Sequence, residues 1–261
     1  MNDFDGRVVL VTGGGRGIGR GISEAFAARG ATVAVNYRKD ADAAASTVDA
    51  ITAAGGAGKA FAASVDRADE CASLVEHVVA EFGGIDVLVC NAGIASRGQS
   101  VADTDPAELE RVMASHALGP HHMTRLALPS LRERAAVNGR ADIVMISSVA
   151  TTYMSANGAP YNMGKAAMEA LGLTLAREER RHGVHVNIVA PGLVETDMGV
   201  RLSRAMTGNR DMTDLRSLDA VSPFGRVCQP SDIADVVVFL CSAAAGYVTG
   251  QRIEVDGGGT R

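Results

Sequence analysis

The chain has 261 residues, 47% of them hydrophobic, 21% charged and 4% aromatic, and a net charge of −5. That length holds one large α/β domain or two small ones, and an acidic balance without a basic block excludes an electrostatic surface for nucleic acid. No apolar run approaches the ~20 residues of a membrane span, and "MNDFDG" carries acids where a signal peptide carries basic residues, so a cytoplasmic location without a membrane partner is expected.

The first predicted strand, 7–12, runs into "TGGGRGIG" and a predicted helix over 17–29. This loop is neither G-x-G-x-x-G nor a P-loop; its spacing is G-x-x-x-G-x-G, with Gly13, Gly17 and Gly19. Absent side chains let backbone approach a pyrophosphate, and the helix N-terminus behind offers free N–H groups. A strand at 32–37 ends in "VNYRKD", with Tyr37 and Arg38 where an NAD-preferring site carries an acid. Arg38 and Arg16 together can clamp a 2′-phosphate, which favours NADP(H) over NAD(H).

Helices follow at 41–54 and 68–82, around a strand at 59–64, and a further strand covers 86–91. The next helix, 106–135, begins at Asp105 with Pro106 in its first turn and Glu108 completing a capping box. It carries His116, His121 and His122. An apolar stripe through Leu109, Val112, Met113, Pro120, Met123 and Ala127 includes His116, whereas His121 and His122 lie about 140° and 240° further round. The three therefore cannot converge on a metal. The four cysteines, Cys71, Cys90, Cys228 and Cys241, show no C-x-x-C spacing and read as reduced structural thiols.

A strand at 142–147 ends at Ser147 and Ser148. The helix over 160–181 then places Tyr161 and Lys165 one turn apart, just after Pro160. Beyond a strand at 185–190 comes an irregular stretch, 195–225, which reads as a substrate lid. Its arginines, Arg201, Arg204, Arg210 and Arg216, read as a solvated face, or as contacts for an acidic carrier protein or a phosphorylated substrate. A helix at 231–243 and a strand at 252–256 complete the chain. Near-continuous apolar strands alternating with helices predict one α/β domain over 1–261, a Rossmann-like, doubly wound parallel sheet with ligands beyond the strands' carboxyl ends.

These residues resemble the short-chain dehydrogenase/reductase family, in pattern most of all its 3-oxoacyl-acyl-carrier-protein reductases. The likeness rests on Thr12 to Gly19, on Asn91-Ala92-Gly93, on Tyr161 with Lys165, on the Pro-Gly turn of "NIVAPGLVETDM" and on "YVTGQRIEVDGG", and it spans about residues 4–258. It implies a catalytic serine thirteen residues before the tyrosine, which selects Ser148 over Ser147. It also implies a cofactor site of Gly13, Arg16, Gly17, Ile18, Gly19, Arg38, Ser64, Val65, Asn91, Ala92, Gly93, Tyr161, Lys165, Pro191, Gly192, Val194 and Thr196, and a homotetramer.

The sequence departs from the family at three points. Ser64 stands where an aspartate commonly meets the adenine, Cys90 replaces an asparagine, and His116 takes the place of the asparagine that completes an Asn-Ser-Tyr-Lys tetrad and ties a water into the proton path. His116 either keeps that relay, with a pH dependence near 6.5, or is a core histidine bonded to backbone.

The implied chemistry is hydride transfer between a nicotinamide and a ketone or secondary alcohol. Tyr161 is its general acid or base, Ser148 steadies the substrate oxygen, and Lys165 lowers the phenol's pKa from about 10. The expected function is an NADP(H)-dependent 3-oxoacyl-type reductase. The alternatives are a dehydrogenase of a sugar, polyol, steroid or secondary-metabolite alcohol, and a dinucleotide-binding sensor without turnover.

Overall fold

The computed structural model describes residues 3–207, 209 and 211–259. Seven strands, β1 (Val8–Val11), β2 (Thr32–Tyr37), β3 (Ala57–Ala62), β4 (Val87–Cys90), β5 (Ala141–Ile146), β6 (Val184–Pro191) and β7 (Arg252–Val255), form one sheet in the order β3-β2-β1-β4-β5-β6-β7. Every pairing is parallel. Parallel strands need crossovers, and helices supply them on both faces.

The period-2 geometry of a strand divides β1 between two cores. Val8 and Leu10 join one with α3 (Ala68–Phe82), α5 (Gly119–Asn138) and α7 (Ala159–Glu179). Val9 and Val11 join the other with α1 (Gly17–Ala27), α2 (Ala41–Ala53) and α9 (Pro230–Cys241). The arrangement is the single-domain, Rossmann-like fold expected from the alternating pattern. Strand order reverses between β1 and β4, and the carboxyl ends at that reversal are the ligand crevice of such sheets.

The opposite end of the sheet holds two buried carboxylates. Asp86 accepts from the Val8 N–H and from Arg134 and Asn138, while Asp142 accepts from Arg7 and Arg140. Arg7, Arg134 and Arg140 therefore anchor the amino ends of the strands, away from the crevice.

Two expectations need correction. The helix foreseen over 106–135 is three segments: α4 (Pro106–Met113), a π-helical turn (Ala114–Leu118) and α5. Pro120 has no N–H to give the His116 carbonyl, so the α ladder breaks there, and Gly119 N–H bonds instead to the Ala114 carbonyl. The capping box is also absent. Asp105 caps the Ala107 N–H at 2.9 Å, but the buried Glu108 turns to the Arg97 N–H and to Arg111.

The described residues of the stretch 195–225 are likewise more regular than their sequence suggests. It contains α8 (Asp197–Thr207) and 3₁₀ turns at Arg216–Val221 and Pro223–Gly225, packed on a small core of Val200, Met212, Leu215 and Val227. A helix this short carries too few apolar repeats to stand out from sequence. Arg204 donates to the Met212 carbonyl at 2.7 Å rather than facing only solvent, Arg201 and Arg216 are exposed, and Arg210 lies outside the described residues. The remaining helix, α6 (Ala150–Tyr153), is a single turn after β5.

Candidate active site at the carboxyl edge of the sheet

The glycine loop is held by three polar residues, Thr12, Asn91 and Asn36. Thr12 accepts from the Asn91 and Ala92 N–H groups at 2.9 and 3.0 Å, and Asn91 Nδ2 donates to the Thr12 and Gly13 carbonyls. The buried Asn36, the polar residue in "TVAVNY", accepts from the Gly13 N–H at 3.2 Å and ties β2 to β3 through Phe61 and Ala63. Sequence reading passed over Asn36, although a lone amide in an apolar strand is the signal that could have found it.

Glycine is obligatory at Gly19, where a Cβ would sit 2.1 Å from the Gly13 carbonyl oxygen and 2.5 Å from Asn91 Nδ2. At Gly17, with φ +53°, a Cβ would meet Thr196 at 3.1 Å, so the turn after β6 lies against this loop. The α1 N-terminus has no side-chain cap and no acid in its first turn. Its amides and positive dipole end suit an anion. A cleft of about 700 Å³ opens beside it, lined in part by Gly15, Arg16, Thr196 and Pro230.

At the far end of the crevice Arg38 lies 3.8 Å from Asp66 and Arg16 lies 3.7 Å from Asp40, all four side chains well exposed except the partly covered Asp66. Ser64 donates to Asp66 at 2.6 Å, and Val65 is buried beside it. Asp66 is a second residue that sequence reading missed. It puts a carboxylate two positions after Ser64, next to Arg38.

On the nicotinamide side of the pattern, Gly192 N–H bonds to the Val255 carbonyl, buried Val194 bridges to Cys228, and Thr196 accepts from Gly199 N–H. The sequence-predicted residues from Thr12 to Thr196 thus gather along one edge of the sheet. A backbone cradle that a Cβ would fill, uncapped amides and two flanking guanidiniums fit a dinucleotide phosphate chain.

Ser148 follows β5, and its Oγ accepts from the Ala150 N–H at 3.1 Å. Tyr161 and Lys165 stand in the first turns of α7, whose Pro160 occupies an opening position where a missing N–H costs nothing. Burial pushes the Tyr161 pKa up, by more than the neighbouring Ser148 hydroxyl pulls it down. Lys165, 3% exposed, donates to the Ile146 carbonyl at 2.7 Å, with Nζ 5.8 Å from the centre of the Tyr161 ring. The expectation that Lys165 lowers the Tyr161 pKa is therefore not met in the free protein. The ammonium is buried against a carbonyl, and its own pKa is pushed down to about 8 by the loss of solvation.

His116 is 1% exposed and packs edge-on to Tyr161, ring centres 5.1 Å apart. Its Nε2 lies 2.7 Å from the Ile94 carbonyl oxygen and 3.2 Å from the Ile94 N–H. The shorter contact involves an obligate acceptor, so Nε2 carries the proton and Nδ1 is bare. Nδ1 is buried with no partner among the described residues. Burial first, then the Lys165 charge, push the imidazole pKa down to about 3. The ring also explains Gly93, where a Cβ would meet His116 Cε1 at 2.7 Å. His121 and His122 face each other at 6.1 Å, one exposed and the other half-buried, apart from the site.

The described residues with positive φ other than glycine are Met154, Asn157 and Phe224. Met154 and Asn157 lie between Ser148 and Tyr161, and Phe224 is 3.6 Å from where a Gly257 Cβ would stand. Such conformations persist only where packing enforces them, and they cluster at functional sites. Tyr153, Met154, Met198, Leu202 and Phe224 leave large apolar surfaces exposed.

Known proteins are similar to this chain over most of its length. A family model described as Enoyl-(Acyl carrier protein) reductase matches residues 13–260. The versicolorin reductase stcU of Emericella nidulans is 37% identical over 262 residues, 99% of this chain and 97% of that protein. The 3-oxoacyl-[acyl-carrier-protein] reductase FabG of Staphylococcus aureus is 37% identical over 250 residues, 95% of this chain and 96% of that protein. A short-chain dehydrogenase from Burkholderia cenocepacia, solved in complex with NADP, superposes with a TM-score of 0.86 at 30% identity, covering 98% and 99% of the two chains.

Proposed function

Because the chain belongs to the short-chain dehydrogenase/reductase family and is an oxidoreductase, we propose that it is an NADP(H)-dependent reductase of a ketone, of the 3-oxoacyl type. The observation that carries the reading is the grouping of Ser148, Tyr161 and Lys165, with Lys165 Nζ 5.8 Å from the Tyr161 ring centre and the glycine loop on the same sheet edge. The relative solved with NADP, and Arg16 and Arg38 beside the crevice, support the phosphorylated cofactor.

Bound nicotinamide supplies or takes up the hydride; the protein manages the proton. In reduction Ser148 donates to the substrate oxygen and Tyr161 Oη gives it the proton as alkoxide charge develops. In oxidation the phenolate takes it back. Lys165 holds positive charge beside that phenol, and His116, neutral and bonded to Ile94, keeps Gly93 and the backbone after β4 in place rather than titrating. Residues 195–225 form the substrate lid.

A second reading, oxidation or reduction of a larger apolar alcohol or ketone such as a steroid or secondary metabolite, has its own support. The exposed apolar side chains Met154, Met198, Leu202 and Phe224 suit such a substrate better than a sugar or polyol. The test is turnover, followed by nicotinamide absorbance with NADPH and NADH against 3-oxoacyl thioesters, apolar ketones and sugars. Tyr161→Phe is expected to lose about 10²–10⁴-fold in kcat. Near wild-type turnover in that variant overturns the assignment, and tight NADPH binding with no turnover on any carbonyl makes the protein a sensor.

A further inference from the structure

Behind Ser148, α6, α7 and β7 are joined by charged side chains that have no part in the proton path. Arg252, on β7, donates from Nε to Glu169 Oε1 at 2.8 Å and from Nη1 to Glu254 Oε1 at 2.7 Å. Its Nη2 faces the Ser148 carbonyl at 3.3 Å and the hydroxyl oxygens of Thr151 and Thr152 at 2.8 and 3.0 Å. Glu169, one turn beyond Lys165, accepts from Ser147 Oγ at 2.5 Å and from Thr151 Oγ1 at 2.7 Å. The Arg252 and Glu169 side chains are only 23% and 15% exposed, a depth at which charge-assisted bonds hold their geometry better than at the surface.

The need for such a grip follows from α6 itself. Four residues make one turn, which no helix sustains unaided, and this turn ends in Met154 at φ +48°. The N–H groups of Ser147 and Val149 bond to the Val189 and Pro191 carbonyls of β6, while the Ser148 carbonyl is held together with α6 by Arg252. Arg252 holds Glu169 from Nε, Glu254 from Nη1 and the α6 turn from Nη2 at once, which a planar five-donor fork can do and a single ammonium cannot.

We propose that Arg252, fixed by Glu169, is a positioning residue that sets the Ser148 turn against α7 so that the serine hydroxyl meets Tyr161. Neither residue touches the reacting atoms. The inference rests on reading Ser148 and Tyr161 as the groups that handle the substrate oxygen and its proton.

The test is a double-mutant cycle in the full chain, with NADPH and a ketone that the wild type turns over: Arg252→Met, Ser148→Ala and both together. If Arg252 acts through Ser148, Arg252→Met lowers kcat by about 10–100-fold with the KM for NADPH little changed. In the Ser148→Ala background the same change then costs less than about threefold. An equal loss in both backgrounds, or wild-type kcat in Arg252→Met, overturns the inference. Wild-type turnover in Ser148→Ala alone overturns the reading of the site and the inference with it. Should Arg252→Met not fold, Thr152→Val removes the hydroxyl that accepts from Arg252 and donates to Glu254 in the same grip; a severalfold fall in kcat that vanishes in the Ser148→Ala background supports the inference, and no fall refutes it.

Discussion

His116 Nε2 and the Ile94 carbonyl oxygen stand 2.7 Å apart, a contact that fixes which imidazole nitrogen holds the proton and leaves Nδ1 bare in the interior. With the pKa pushed down to about 3, the ring stays neutral throughout the working range of an enzyme. The pH–rate profiles of the wild type and His116→Asn should therefore share the same limbs between pH 5 and 8. A limb near 6.5 that disappears in the variant would show that the imidazole does titrate.

The same burial has a stability consequence. Between about pH 3 and 6.5 the unfolded chain binds a proton at His116 that the native protein refuses, so stability from this residue is complete above about 6.5 and declines as pH falls. The slope reaches at most about 1.4 kcal/mol per pH unit. Thermal melts from pH 4 to 7 should fall more steeply for wild type than for His116→Asn.

Lys165 gives up solvation to lie beside Ile146 and Tyr161. Lys165→Met removes a buried charge while keeping the apolar stem, at the expense of one hydrogen bond worth about 1 kcal/mol. Turnover should drop by at least about 10²-fold while the melting temperature stays within a few degrees of wild type or rises. A large loss of stability would mean that the ammonium is structural.

Arg38 tests the cofactor preference. Its pair with Asp66 is exposed and long at 3.8 Å, so Arg38→Asp should change stability by less than about 1 kcal/mol. The ratio of kcat/KM for NADPH over NADH should fall by about 10²-fold or more, since a bidentate donor to phosphate is replaced by a like charge. An unchanged ratio would remove Arg38 from the site.

Gly19→Ala addresses the loop. The added Cβ cannot coexist with the Gly13 carbonyl at 2.1 Å, so the loop must shift. Overpacking of this kind costs about 1–3 kcal/mol, and the moved amides should weaken NADPH binding by at least about tenfold in a fluorescence titration. Unaltered affinity would show that the cofactor does not lie on this loop.

Much of this protein was legible as sequence. The alternation of apolar strands with helical periods set the layers of the fold, because burial on two faces leaves no other pattern. The glycine spacing of the first loop and the Tyr161–Lys165 interval are local, one a steric requirement and the other a helical turn, so both could be read without coordinates. What sequence could not reach depends on groups distant in the chain. The Lys165 environment hangs on Ile146, the place of Asn36 on the Gly13 amide, and the grip on Ser148 on Arg252, over a hundred residues away. The character of His116 was open in sequence for the same reason. Solvation and a single carbonyl decide whether an imidazole switches or stays neutral, and both are properties of the packed interior, not of the helix that carries it.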